Sequence, residues 1–398
     1  MPDVIVVGGG LAGMAAAVAL ESAGFHTTVL ESRGFLGGRA TDNCQHILLG
    51  CCANLLDFYG RLGVADQLHF DREFHFIEPG GRVSELRQGL LSFARLPFLS
   101  PRAKFAIVRA LAAVRRDWKR RQDLDRITML DWLRERNQPP DALNHFWGPV
   151  LVSALNVELD VMAARHGLQV FRLGSLPMAL ALAPPENLGP VSIRLRAPVE
   201  RIRREGVEVR GELLQADWYV CALPHERVGE VAPELGLDLS AFRHSPITGI
   251  HLWFDRPITD LPHAALLDRT IQWLFNKKDG RHVQLVVSAS HSLVEMPRSE
   301  VIQLALTELA DFLPKVRTAT LEKAHVVKEL RATFAPVPGL EAKRPHAATA
   351  FQNLFLAGDW TRQGWPSTME GAVRSGYLAA EALTQAAGHP QKFLLPGE

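Results

Sequence analysis

The chain opens on a strand, a glycine turn and a helix, in that order. The apolar run Val4-Ile5-Val6-Val7 leads into Gly8-x-Gly10-x-x-Gly13, and an alanine-rich stretch follows. A second strand, Thr27-Thr28-Val29-Leu30, ends on Glu31, 18 residues beyond Gly13. This pattern predicts a β-α-β unit. Gly8 permits the tight turn, Gly10 lets the backbone approach a pyrophosphate, and Gly13 lets the helix lie close on the strand. The uncapped helix N-terminus then faces the phosphates. Glu31 stands where an acid accepts both ribose hydroxyls, and it would repel the extra phosphate of NADP. NAD and FAD both fit. The segment is not read as a secretory signal, because it lacks a positive n-region and glycines interrupt its apolar run.

Length and composition set outer limits. A chain of 398 residues, 47% hydrophobic and 22% charged, can bury a large core and is expected to form two domains. A net charge of +1 argues against nucleic-acid binding driven by bulk charge. The four cysteines, Cys44, Cys51, Cys52 and Cys221, include no CxxC pair, which points to a reducing compartment and a cytoplasmic location. No uncharged apolar run is long enough to span a bilayer.

The remaining patterns are mixed. The stretch HILLGCCANLLDFYGRLGV has helical apolar spacing, and residues 86–182 read as mainly helical. From Val191 short strands follow, and residues 247–290 alternate as strands do. A helix is expected over 300–312, a strand around 326–334, and a helix over 368–387. The run Asn353-Leu-Phe-Leu-Ala-Gly-Asp-Trp360 is unalternating, like the first strand, which predicts that the C-terminus returns to the first domain. The expected fold class is α/β (α+β). A Rossmann-like FAD-binding domain is assembled from discontinuous segments, 1–75, 190–235 and 336–398. A substrate domain of mixed sheet and helices takes 76–189 and 236–335.

Two further groups narrow the ligand. Arg33 and the triplet Gly37-Gly38-Arg39 follow Glu31 directly. Near the other end, Gly358-Asp359 closes a strand, and Pro366-Ser-Thr-Met-Glu-Gly-Ala372 opens a helix. Ser or Thr with a Glu in the first turn is an N-cap arrangement. A helix N-terminus aimed at a flavin ring stabilises the anionic reduced form, and Asp359 can bond a ribityl hydroxyl.

The pairing of GxGxxG…E-x-R-x-x-x-GGR with a late LAGDW and an EGA-type helix resembles the FAD-dependent amine oxidase and phytoene desaturase superfamily. Within it, segments over nearly the whole chain are most similar to the hydroxysqualene dehydroxylases of the hopanoid pathway, also called squalene-associated FAD-dependent desaturases. These segments include DNCQHILLGCCANLLDFYGRLGV, FWGPVLVSALN, SPITGIHLWFD, ELRATFAPVPG and LFLAGDWTRQGWPSTMEGAVRSG. Cys44 departs from the glycine expected in the DNGQH pattern. The resemblance implies FAD contacts at Gly8, Gly10, Gly13, Glu31, Arg33, Gly38, Arg39, Gly358, Asp359, Met369 and Ala372. It also implies a backbone contact to the adenine at Val199.

The resemblance further implies reduction of hydroxysqualene to squalene with loss of water. An allylic alcohol loses its oxygen when that oxygen is protonated, and hydride from reduced flavin quenches the cation. This requires a dry cavity and one acid. Gln45 and His46, six residues beyond the GGR triplet, are the candidate polar pair. An imidazole, with an ordinary pKa of about 6.5, is a suitable proton donor. Hydrogen bonding to flavin or to a loop carbonyl is the plainer role for both. Arg331 and Arg344 are candidates for cofactor contact or interdomain pairing. Trp253, Phe254, Trp273 and Phe275 are candidates for a polyprenoid tunnel or for ordinary core.

With one glycine fingerprint there is no evident second nucleotide domain, so the reductant is a partner protein or transiently bound NADPH. Residues 102–121 hold eight Arg or Lys and one acid, Asp117. Ile107, Leu111, Val114 and Trp118 recur along one face. This helix either lies peripherally on the cytoplasmic face of an anionic membrane or packs on the core with a solvated basic face. Rival readings of the whole chain are a carotenoid-type desaturase, an amine oxidase and a non-catalytic FAD-binding lipid carrier.

Overall fold

The structure is a computed structural model of the chain. It describes residues 1–40, 44–87, 89–173, 178–183 and 185–396. Asp42 and Asn43, part of the segment ending in Gln45-His46, lie outside the described residues.

The first strand, Asp3–Val7, is the centre of a five-stranded sheet. Its order is Leu354–Leu356, Trp218–Cys221, Asp3–Val7, His26–Leu30 and Ser192–Arg194, with every pairing parallel. Strands from both ends and the middle of the sequence therefore lie side by side. Their unalternating apolar character follows, because both faces of a parallel sheet are covered.

The first helix, Leu11–Ser22, is apolar on nearly every side. It is enclosed between this sheet and the last helix, Met369–Ala386. The two helices touch at their backbones: a Cβ on Gly376 would lie 2.3 Å from the Ala12 carbonyl oxygen. Alanines along the first helix permit this approach, since larger side chains would hold the helices 8–10 Å apart or more. Because the two helices are in contact, the last helix starts beside the glycine turn.

A second sheet has seven strands, in the order Leu321–Phe334, His244–Phe254, His282–Ser288, Trp273–Lys278, His263–Leu266, Glu73–Glu78 and Arg82–Arg87. One face packs on Arg298–Phe312, burying Ile250, Leu252, Phe254 and Val326. The other packs on the helices between residues 101 and 173, burying Trp273, Phe275 and Val286.

Two sequence expectations change in detail. The stretch after His46 is not wholly helical. Ile47–Leu49 is a strand paired with Met178–Leu180, and the helix is Ala53–Arg61. The short strand satisfies its backbone on a partner more than 120 residues away, which local periodicity does not report.

The basic helix is Pro101–Arg120, capped by Ser100, whose Oγ accepts from Ala103 N at 3.1 Å. Its apolar face, Ala103, Ile107, Ala110 and Val114, is buried on the core, while Leu111 and Trp118 are half-buried. Asp117 lies on the buried side, accepting from Trp132 Nε1 at 3.0 Å and pairing with Arg136. The outer face carries Arg102, Arg109, Arg115, Arg116 and Lys119 around exposed Phe105 and Val108. Among the described residues, no helix is long and apolar enough to cross a membrane.

Candidate active site

The site begins at the carboxyl ends of the parallel strands, where open α/β sheets place their ligands. Gly8 has φ +107°, and a Cβ there would meet the Ala222 carbonyl oxygen at 2.9 Å. A Cβ on Gly13 would overlap the Gly8 carbonyl oxygen at 1.9 Å. Gly10, by contrast, would meet only Gly38 Cα at 3.9 Å, so its open side faces the site. Gly10 is also the N-cap of the first helix and makes no side-chain cap bond. The first helical N–H groups thus lack a side-chain acceptor, as an anion site requires.

The GGR segment lies directly on this turn. Gly37 N donates to Gly9 O at 2.8 Å, and Arg33 Nη1 donates to Gly38 O at 2.9 Å. Glu31 is buried, and its carboxylate accepts from Gly9 N at 2.8 Å and from Arg33 N at 2.7 Å. Ala197 N donates to Glu31 O, so the strand that starts at Val199 begins beside the acid. Glu31, Arg33 and Val199 are thereby brought to one end of the site.

Gly358, with φ +146°, turns the chain after the Leu354–Leu356 strand, and its N–H donates to Ser375 Oγ at 2.8 Å. Asp359 accepts from the Ser367 hydroxyl through Oδ2. Met369 and Ala372 stand in the first turn of the last helix, where Thr368 Oγ1 accepts from Gly371 N at 3.1 Å. The expected Ser/Thr cap is therefore Thr368. Glu370 does not cap its own helix. It is buried and accepts from Asn54 N, Asn54 Nδ2 and Leu55 N at 2.7–3.2 Å, capping the Ala53–Arg61 helix instead. A glutamate at N2 can point sideways into a neighbouring helix start, which also needs acceptors.

Several contributors carry no local sequence signal strong enough to find them. Arg39 Nη2 pairs with Glu226 Oε1 at 2.7 Å. Beside Glu226 lie His225 and His244, whose rings stack at 4.8 Å. Burial pushes the His225 imidazole down to about 4 and lowers that of His244, so both are neutral at pH 7. Burial raises the Glu226 carboxyl, but the Arg39 guanidinium, a backbone hydrogen bond and the neighbouring His225 ring together outweigh it and lower the group from its ordinary value. His225 Nδ1 lies 3.3 Å from Glu226 Oε2, and neither of these atoms nor His244 Nδ1 makes a well-aligned hydrogen bond within the protein. Buried polar atoms with spare bonding capacity suit a hydroxyl-bearing ligand, whereas the Glu226 carboxylate would repel a phosphate. The clue available was position: His225-Glu226 directly follows the carboxyl end of a parallel strand.

Arg344, one of two candidate arginines, is fully buried. It donates to Asp359 O at 2.6 Å, Trp365 O at 2.7 Å and Glu341 Oε2 at 2.8 Å. It braces the loop that carries Asp359. Arg331 is exposed. His166 lies 3.9 Å from Glu341, and burial pushes its imidazole down to about 4, so it adds no second cation beside Arg344.

Gln45 and His46 line a cavity of about 240 Å³ together with Ala40, the 180–183 segment, Lys277 and Met369. Leu180, Ala181, Leu182 and Ala183 make one wall apolar. Gln45, His46 and Lys277 supply the polar edge, and Lys277 Nζ donates to Gln45 Oε1 at 2.7 Å. The four strand aromatics do not line this cavity. Trp273 and Phe275 are core beneath the helices, Phe254 is core on the opposite sheet face, and Trp253 stacks on His282 at 4.3 Å.

This combination of sheet, glycine turn and late Gly-Asp loop is that of a flavoprotein oxidoreductase. The family model described as flavin containing amine oxidoreductase matches residues 11–384, and the chain belongs to that family. Its cofactor is FAD, and it is an FAD-dependent oxidoreductase of the amine oxidase and desaturase superfamily. Relatives include a probable zeta-carotene desaturase of Synechococcus elongatus, 26% identical over 96% of this chain and 98% of that protein. The 15-cis-phytoene desaturase of Solanum lycopersicum is also 26% identical, over 96% of this chain and 78% of its own length. Among solved structures, a redesigned putrescine oxidase superposes with a TM-score of 0.72 at 16% identity, covering 97% of this chain and 99% of that one. Cyclohexylamine oxidase from Brevibacterium oxydans gives 0.70 at 17%, over 97% and 99% of the two chains. At those identities the likeness is one of fold.

Proposed function

We propose that the chain reduces hydroxysqualene to squalene with loss of water. The observation that carries this reading is the cavity beside Met369, apolar on one wall and edged by Gln45, His46 and Lys277. An isoprenoid hydrocarbon needs no such edge, whereas an alcohol needs one group to hold its oxygen and one to supply a proton. We assign residues 1–75, 190–235 and 336–398 to the FAD domain, and 76–189 and 236–335 to the substrate domain. The parallel sheet supports that division, because its strands come only from the first set, while the Glu73–Glu78 strand of the second sheet straddles the boundary at 75.

FAD, when bound and reduced, supplies the hydride. The glycine turn and Arg39 would hold its phosphates, Glu31 and the Val199 strand the adenosine end, and Asp359 with the last helix the flavin end. Gln45 orients the alcohol and His46 gives the proton. Protonation by His46 lets the C–O bond break and the oxygen leave as water, and the allylic carbon would take up the hydride that reduced FAD supplies. The reductant is a partner protein or NADPH.

The test is anaerobic. Reduced wild-type protein mixed with hydroxysqualene is expected to reoxidise while squalene appears in equal amount. His46→Ala, with its FAD retained, is expected to lose about 100-fold or more in rate. Reoxidation by oxygen alone removes the proposal. Desaturation of a carotene precursor by the oxidised protein moves the assignment to the activity named for the relatives.

Delivery of so insoluble a substrate favours a membrane surface. Leu91 and Phe105 are 76% and 71% exposed, and Lys104 Nζ bonds Ala94 O, which joins their two helices. The basic row of the Pro101–Arg120 helix flanks them. The protein is expected to float with anionic liposomes at low salt and to be released at high salt. Recovery in the soluble fraction at low salt removes the membrane reading.

A further inference from the structure

We infer that Arg115, Arg165 and Arg172, gathered around Trp118, form a binding site for a phosphate-bearing anion. The inference is independent of the reaction proposed above.

The first observation is the convergence of three cations on one ring. Trp118 lies on the Pro101–Arg120 helix, and Arg115, three residues before it, is its neighbour on that helix surface. Arg165 and Arg172 come from the Ala164–Leu173 helix, two turns apart and so on one face of it. Their guanidinium carbons lie 4.9 and 4.8 Å from the Trp118 ring centroid. A guanidinium held over an indole face keeps its fork in a fixed place, and a fixed fork is what bidentate recognition of a phosphate uses.

The second observation is the sign of the surroundings. Asp117, the one acid of the Pro101–Arg120 helix, is turned into the core, where it accepts from Trp132 and pairs with Arg136. The Ala164–Leu173 helix carries no acid at all. Asp125 is close enough to attract Arg165, yet among the described residues neither Arg115 nor Arg165 forms an ion pair. Arg165 also stands in the first turn of its helix, where the helix dipole favours an anion and disfavours a cation. Burial, and then the like charges of Arg165 and Arg115, push the Arg172 guanidinium below the ordinary arginine range. A dianion among the three removes that repulsion, and its charge matches theirs better than a single carboxylate would.

A soluble phosphate ester and a lipid headgroup present the same oxygens. Trp118 is about 20 Å along the helix from Phe105, so binding here is separable from insertion of the Leu91 and Phe105 patch.

The experiment uses the full FAD-loaded chain and titrates inorganic phosphate calorimetrically at low salt. Wild type is expected to bind, and Arg165→Gln to bind about 10-fold more weakly. Arg165→Lys is expected to recover only part of the loss, because an ammonium lacks the fork. FAD content reports folding. Should Arg165→Gln lose its FAD, Arg115→Gln decides: Arg115 is exposed, so its loss leaves the packing intact, and about 3-fold weaker binding is expected. Arg317→Gln makes the same charge change at another exposed position and is expected to bind as wild type. A second arm compares phosphatidylcholine vesicles carrying phosphatidate with vesicles carrying phosphatidylserine at equal surface charge. A preference for phosphatidate that Arg165→Gln abolishes identifies the ligand as a headgroup. Phosphate binding without that preference identifies a soluble ester. No phosphate binding by wild type, or the same affinity in Arg165→Gln and Arg115→Gln as in Arg317→Gln, overturns the inference.

Discussion

Gly13→Ala is expected to purify without flavin. The added Cβ would sit 1.9 Å from the Gly8 carbonyl oxygen and 3.1 Å from Ala222 Cβ. The first of these is backbone, so no side-chain rotation relieves the clash. The helix must instead lift from the strand, and the Gly8–Gly10 turn moves with it. Overpacking of this kind costs about 1–3 kcal/mol or more. Taken from cofactor affinity, about 3 kcal/mol is on the order of 100-fold. Flavin absorbance per chain and equilibrium dialysis of FAD measure the loss. Gly60→Ala is the control: it is helical, and a Cβ there meets nothing within 4 Å. Its flavin content is expected to match wild type. Full occupancy in Gly13→Ala would refute the close helix–strand contact on which the site is built.

Arg344→Met is expected to be the most destabilising change outside the glycine turn. The guanidinium is 2% exposed and joins the carbonyls of Asp359 and Trp365 to Glu341. Methionine fills much of the volume but takes the guanidinium from the Glu341 carboxylate and leaves the Asp359 and Trp365 carbonyls to Gln363 Nε2 alone. Removing one partner of a buried charged set costs about 3–5 kcal/mol. Arg344→Lys should recover little, since an ammonium does not present the planar fork. Chemical denaturation followed by tryptophan fluorescence measures the stability, and FAD release on dilution reports the loop. A loss under about 1 kcal/mol would mean that the Asp359 loop is held by something other than Arg344.

These two residues differ in how readable they were. Gly13 was legible because φ freedom and close approach are local demands, met by glycine at fixed offsets from a strand and a helix. The same holds for Gly8, Gly10, Glu31 and Thr368. Arg344 was visible only as one of two arginines in resembling segments. Its role depends on burial, which separated it from exposed Arg331. Glu370 was legible only as an acid in the first turn, for a related reason. Its position fits a cap on its own helix, but the carboxylate turns to the start of Ala53–Arg61, more than 300 residues earlier. The aromatics of the insertion strands were legible as strand residues, while the face each one presents followed from the sheet's register.

The sequence alone determined the nucleotide half of the molecule: the turn, the acid, the GGR segment, and the return of the last strand and helix to the first. Those features obey rules of backbone dihedral, capping and burial that act within a few residues. Tertiary structure decided the substrate half. Gln45, Leu180, Lys277 and Met369 share one cavity because a short strand pairs at long range and a bulge falls on Lys277. Pairing register is set by the packing of whole sheet faces, and a shift of one residue reverses which side chains face the site.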